Sequence, residues 1–278
     1  MAAAIASTSV GLEAGPGPAF SLGPVQVALQ NWGTFMRQEL RCLGVLAAAA
    51  LAAGGLAACG LVKGETFEDD STVSGEITFV RLENGSGGVT VNGRERSGKL
   101  SLRREIEYRG DKPQGTTHRI ENGVLILGGC GSRCSVNYTV EVPVGVPVSG
   151  QVSSGRIHLT KVGAVKVTTG SGRIEMNGVS GAVEVKTSNG RITGADIKGT
   201  RIQAQTSNGA INLTPATPLD VQAKTSNGDI TLTLPKADYQ VTADTNNGEK
   251  TIGVSDDPSG KYRLGLKSSN GDITVKNS

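Results

Sequence analysis

The 278-residue chain carries 40 glycines, 3% aromatic and 19% charged residues, and a formal charge of +3. So small a charge, with no basic run and almost no interleaved aromatics, argues against nucleic acid as a partner. Abundant glycine without a collagen period, beside many Val, Ile and Thr, points to a β-rich chain with tight turns.

In chain order, residues 1–35 are rich in Ala, Gly and Pro and precede a second methionine, Met36. Met36 is the expected translation start, and 1–35 a non-native or disordered extension. Residues 36–58 read as a lipoprotein signal peptide. Arg37 and Arg41 form a basic start, and Leu43–Ala58 is an apolar stretch of 16 residues, against the about 20 that a spanning helix needs. The segment ends in Leu56-Ala57-Ala58-Cys59, which resembles a bacterial lipobox. That resemblance implies lipidation of Cys59 and cleavage before it. Residues 59–64 are then a short tether, and the chain is exported and anchored to the outer face of the cell membrane.

Cys42 lies in the signal, which leaves Cys130 and Cys134 as an expected disulfide. Closing so short a loop is worth ~2 kcal/mol in chain entropy. A metal site would have to use His118 and His158, whose spacing fits no zinc pattern. No metal or cofactor is expected.

Residues 65–278 are expected to form one repeat domain. "GEITFVRLENGSGGVTVNG" and "ENGVLILGGC" read as its first coils, and 94–112 as a longer excursion. Cys134–Gly150 is a strongly alternating strand that ends at Pro143, which cannot donate to a central ladder.

From residue 150 onward a motif returns. "TSNG" closes at Gly190, Gly209 and Gly228, with the variants "TNNG" at Gly248 and "SSNG" at Gly271. With Gly155 and Gly172 included, the gaps are 17, 18, 19, 19, 20 and 23, a repeat-protein period. Two residues after most of these glycines stands Ile, followed by alternating apolar positions: a strand with one buried face. A corner and a second alternating run complete each unit.

Asn-Gly between such runs could be the turn of an antiparallel β-meander hairpin. The alternative is a parallel β-solenoid of ~19-residue, two-strand coils, in which TSNG is a fixed corner. The solenoid better explains the repeated chemistry. Asn189, Asn208, Asn227, Asn247 and Asn270 would stack about 4.8 Å apart as an amide ladder. Gly190, Gly209, Gly228, Gly248 and Gly271 would supply the positive φ of the bend. The other corner lengthens along the chain, so loops near 195–200, 215–219, 235–239 and 254–262 are the candidate binding face.

The C-x-x-x-C pair leading into Val136, Tyr138, Val140, Val142, Pro143 and Gly145, then reiterated S-x-G-x-I/V units, resembles the putative-adhesin β-strand-repeat family, in which no activity is assigned. The resemblance covers 65–278 and implies a right-handed β-helix-like fold at the cell surface. It carries over no catalytic residue.

The residue after each repeat glycine is Arg156, Arg173, Arg191, Ala210, Asp229, Glu249 and Asp272 in turn. In a solenoid this is an outward stripe, cationic early and anionic late. The three arginines are candidates for binding an anionic glycan. Asp256-Asp257-Pro258-Ser259-Gly260 reads as a turn. Lys250 stands where other units carry Ile, and burial of an unpaired cation is costly, so a bulge or register shift is expected there.

Paired carboxylates at glycosidase spacing and nucleophile motifs are not evident. The expected function is a lipid-anchored, non-enzymatic, adhesin-like binding or scaffold module whose partners are a cell-wall glycan or a surface protein. The alternatives are a polysaccharide-active β-helix enzyme and an envelope sensory or stress-associated lipoprotein.

Overall fold

The computed structural model describes residues 64–73, 75–95 and 100–278. The expected extension, signal peptide and Cys59 lie outside the described residues. Gly60–Ser278 forms one compact unit.

The described residues form twenty-one strands. They are β1 (Glu65–Val73), β2 (Phe79–Ser86), β3 (Val89–Arg94), β4 (Leu100–Tyr108), β5 (His118–Glu121), β6 (Val124–Gly128) and β7 (Cys134–Pro143). There follow β8 (Val148–Ser154), β9 (Ile157–Thr160), β10 (Val165–Ser171), β11 (Ile174–Asn177), β12 (Val183–Asn189), β13 (Ile192–Ile197) and β14 (Arg201–Asn208). The last are β15 (Ile211–Pro215), β16 (Asp220–Lys224), β17 (Ile230–Leu234), β18 (Tyr239–Asn247), β19 (Lys250–Ile252), β20 (Tyr262–Asn270) and β21 (Ile273–Asn277).

Each coil gives one strand to each of two sheets. Equivalent strands of neighbouring coils pair in parallel and in register, as Ile174 does with Ile157 and Ile192. This pairing excludes the meander for the repeat region. Inward positions alternate with outward ones, and one sheet contributes Ile157, Ile174, Ile192, Ile211, Ile230 and Ile273, all 0% exposed. The row Val148, Val165, Val183, Ile202 and Val221 lines the other sheet's inner face. Each such side chain contributes about 1.5–3 kcal/mol on burial, so the Ile column alone is a substantial stabilising core.

Spatial order departs from chain order at both ends. One sheet runs β1-β4-β7-β3-β9-β11-β13-β15-β17-β21-β19, and the other β18-β20-β16-β14-β12-β10-β8-β2-β6-β5. The final coil, β20–β21, therefore sits between β16–β17 and β18–β19. Likewise β2–β3 sits between β6–β7 and β8–β9. Instead of a loose excursion, 94–112 includes β4, which pairs antiparallel with β1 and β7. β21 is not a free edge, although no later strand follows it among the described residues, because β19 covers it. One expectation changes as a result. Lys250 is not displaced by a bulge, because it pairs in register with Ile273. Its coil ends the stack, so its side chain is exposed and its ammonium lies 3.5 Å from the Ala243 carbonyl.

Candidate functional site

Each residue of the TSNG corner has a distinct physical role. The Thr hydroxyls point inward and donate to a glycine carbonyl of the adjacent coil: Thr187 to Gly172, Thr206 to Gly190 and Thr225 to Gly209, each at 3.0 Å. The Asn side chains point outward and form a continuous chain of amide bonds. Asn208 donates to Asn189 at 2.8 Å, Asn227 to Asn208 at 2.9 Å, Asn270 to Asn227 at 2.9 Å and Asn247 to Asn270 at 2.8 Å. Asn270 thus precedes Asn247 in the ladder, contrary to chain order. Positive φ does not account for every glycine: Gly209, Gly228, Gly248 and Gly271 have it, and Gly190 is not among them. Close approach does. A Cβ on Gly190 would lie 2.0 Å from the Gly172 carbonyl oxygen.

The post-glycine residues form an outward row that is cationic at one end and anionic at the other. Backbone bonds fix their order. The Ile of each rung donates to the row residue of the next: Ile157 to Arg173, Ile174 to Arg191, Ile192 to Ala210, Ile211 to Asp229, Ile230 to Asp272 and Ile273 to Glu249. Asp229 and Asp272 also use their side chains locally. Oδ1 of Asp229 accepts the Asp272 amide at 2.9 Å, and Oδ1 of Asp272 accepts the Glu249 amide at 2.8 Å. The arginines make no such backbone bond. Arg173 reaches Glu175 at 3.2 Å, and Glu175 also meets His158 Nδ1 at 3.2 Å. Partial burial raises the Glu175 carboxyl, but Arg173, His158 and Arg156 outweigh it and hold the group below its usual range. Arg156 and Arg191 are exposed and, among the described residues, enter no ion pair.

The end formed by β1, β4 and β5 holds a polar cluster. Arg104, 7% exposed, makes a two-pronged ion pair with Asp69 at 2.6 Å and donates to Thr117 Oγ1 at 3.2 Å. The Tyr138 hydroxyl lies within hydrogen-bonding distance of the Thr117 and Gly128 carbonyls, one of which takes its single proton, and burial pushes its pKa up to about 12. His118 stands beside this cluster with Nδ1 buried and without a hydrogen-bond partner. His118 and His158 lie in different sheets and are not brought together. Cys130 and Cys134 form a disulfide.

On the other sheet, a shallow groove of about 490 Å³ runs over Phe79, Pro147, Ala164, Ala182 and Arg201. At the opposite end, the 254–262 loop folds back, and Asp256 Oδ1 accepts the Val241 amide of edge strand β18 at 2.9 Å. Asp257 accepts the Ser259 amide at 2.8 Å, as a turn residue does.

The family model for the Toastrack DUF4097 group matches residues 71–276. The chain belongs to the Toastrack DUF4097 family. Solved structures similar to this Toastrack chain include a putative cell adhesion protein from Clostridium sporogenes, at 12% identity and a TM-score of 0.35, covering 77% of this chain and 100% of that one. A putative adhesin from Bacteroides fragilis is similar at 14% identity and TM-score 0.37, covering 77% and 97% respectively. One from Parabacteroides distasonis shows 9% identity and TM-score 0.37, covering 78% and 98%. Likeness at this level carries no functional conclusion. No curated protein matches the chain.

Within the Toastrack stack, the arginine row is the feature that sequence spacing and geometry share. The polar cluster had no sequence signal, because Asp69 and Arg104 are 35 positions apart in an irregular region. A second glycine column was readable but missed. Gly145, Gly163, Gly181 and Gly199 recur every 18 residues, and a Cβ on Gly199 would lie 1.9 Å from the Gly181 carbonyl oxygen.

Proposed function

We propose that this protein is a lipid-anchored, non-enzymatic surface module that binds anionic wall polymer along Arg156, Arg173 and Arg191. One observation carries the reading: three exposed guanidinium groups stand on consecutive rungs and, among the described residues, only that of Arg173 meets another side chain, Glu175. Rungs are about 4.8 Å apart, so the row presents a regular line of positive charge to a linear polyanion laid along the stack. Like charges stacked this closely repel, and a polyanion relieves that repulsion. Arginine suits the role because its planar fork binds carboxylate or phosphate through two bonds.

Cys59, if lipidated, holds the module at the membrane while the rigid stack carries the row outward. A single acyl chain binds a membrane only marginally, so the anchor requires two chains. The test compares binding of the full-length protein to an anionic and a neutral wall polysaccharide. Arg173→Glu with Arg191→Glu should abolish binding to the anionic polymer, and unchanged binding removes the proposal. For the anchor, Cys59→Ala should move the protein out of the membrane fraction. Retention there refutes lipidation.

A further inference from the structure

We infer that the row is also self-complementary, and that two copies of this chain pair through it as an antiparallel twofold dimer. The spatial order revealed by the fold is Arg156, Arg173, Arg191, Ala210, Asp229, Asp272, Glu249, one residue per rung. Its charges read plus, plus, plus, neutral, minus, minus, minus. Reversing the direction of this row and placing it against itself matches every cation with an anion. Arg191 then faces the partner's Asp229, Arg173 the partner's Asp272, and Arg156 the partner's Glu249. A parallel alignment puts like on like at every charged rung. A twofold interface uses one patch on both copies and must be self-complementary, and this row meets that condition about a centre at Ala210.

The chain crossing matters here. Because β20–β21 inserts before β18–β19, Asp272 and not Glu249 follows Asp229, which sets Asp272 opposite the partner's Arg173 and puts Glu249, on the outermost rung, opposite the partner's Arg156. The neighbouring outward row is short-sided from the Arg191 rung to the Glu249 rung, with Thr193, Asn212, Thr231, Thr274 and Thr251 in register, while the Arg156 and Arg173 rungs carry His158 and Glu175 beside the row. Exposed pairs each add little. Six of them set orientation and register, the two things that electrostatic complementarity fixes best.

This inference stands apart from polymer binding, although the two compete for the same arginines. It is tested on the full-length protein in native membranes with Ala210→Cys, which places two thiols at the twofold axis. Mild oxidation should give a covalent dimer through residue 210. Adding Arg156→Glu or Glu249→Arg alone should lower that yield about tenfold, since each sets like charges face to face. The combined Arg156→Glu/Glu249→Arg chain should restore it, because the opposed pair is re-formed with its signs exchanged. The restoration also shows that each single variant lost an interaction and not its fold. Thr168→Cys, on the outward face of the other sheet, should not cross-link. No cross-link through residue 210, equal cross-linking through 168, or failure of the combined chain to recover would overturn the inference. The combined chain still has three row cations, but only Arg173 and Arg191 stand on consecutive rungs, so it should regain the dimer without regaining the polymer binding that needs three in line. Failure of one reading is therefore distinguishable from failure of the other.

Discussion

Asn270 donates its side-chain amide to Asn227 at 2.9 Å, across 43 positions of chain, and so occupies the rung that chain order would give to Asn247. Asn208, Asn227 and Asn270 each both donate and accept, which orients the whole column in one direction. The bonds are exposed, so each contributes modestly. Asn208→Ala with Asn227→Ala should lower unfolding free energy by about 1–3 kcal/mol, read by denaturant titration, and leave binding to anionic polymer unchanged. Loss of binding with stability intact would make the ladder a recognition element instead.

Two glycines give an internally controlled pair. A Cβ at Gly190 would meet the Gly172 carbonyl oxygen at 2.0 Å, whereas at Gly265 nothing lies within 4 Å. Backbone stacked on backbone has no means of yielding, so Gly190→Ala should cost about 3 kcal/mol. Gly265→Ala should be neutral or stabilise by about 0.4–1 kcal/mol through the unfolded chain. Equal melting temperatures for the two variants would show that the corner relaxes.

Acid should loosen the end of the stack that holds β5. Burial, then the nearby Arg104 charge, depresses His118 below its usual 6.5, with Asp69 opposing. The unfolded chain takes up that proton more readily, so stability is constant above pH 6.5 and falls as pH drops below it. Asp69 behaves differently. The Arg104 hydrogen bond holds its carboxyl below 3.8, so its contribution is kept above that pH and lost beneath it. Between about pH 6.5 and 4, the protection of the β5 and β6 amides relative to their intrinsic exchange rate should therefore fall, and His118→Gln should abolish the change. Unaltered pH dependence in that variant would assign the effect elsewhere.

Lys250 replaces the column's Ile on edge strand β19. Inward-pointing charge on an edge strand is a means of blocking edge-to-edge pairing. Lys250→Ile should leave the monomer as stable or more so, yet produce concentration-dependent end-on assemblies visible by light scattering. A fully monomeric variant at high concentration would remove that role.

The repeat region was legible because TSNG fixes its own spacing, and a solenoid requires the same corner on every rung. The order of the last two coils was not. Both carry the same motif, so either satisfies the rung below it, and only Lys250 marks which one meets solvent. The ends were illegible for a related reason. β4 pairs antiparallel with β1 and β7, strands distant in sequence, and local alternation says nothing about direction. β5 pairs antiparallel with its neighbour β6 across the Asn122-Gly123 turn, so there Asn-Gly is a hairpin and not a coil corner. The arginines were found by spacing alone, but their relation to Asp272 and Glu249 needed the fold.

The inserted coil also bears on how the molecule is made. As the chain leaves the ribosome, the rungs from β8–β9 to β16–β17 can add one by one. β18–β19 then emerges with no surface to dock on, since its sole partners, β20 and β21, are not yet synthesised. β20–β21 acts as a wedge that arrives after β18–β19 and joins the outermost rung to the rest. A nascent chain without this one coil would leave two rungs unassembled, which makes synthesis of β20–β21 a condition for closing that end.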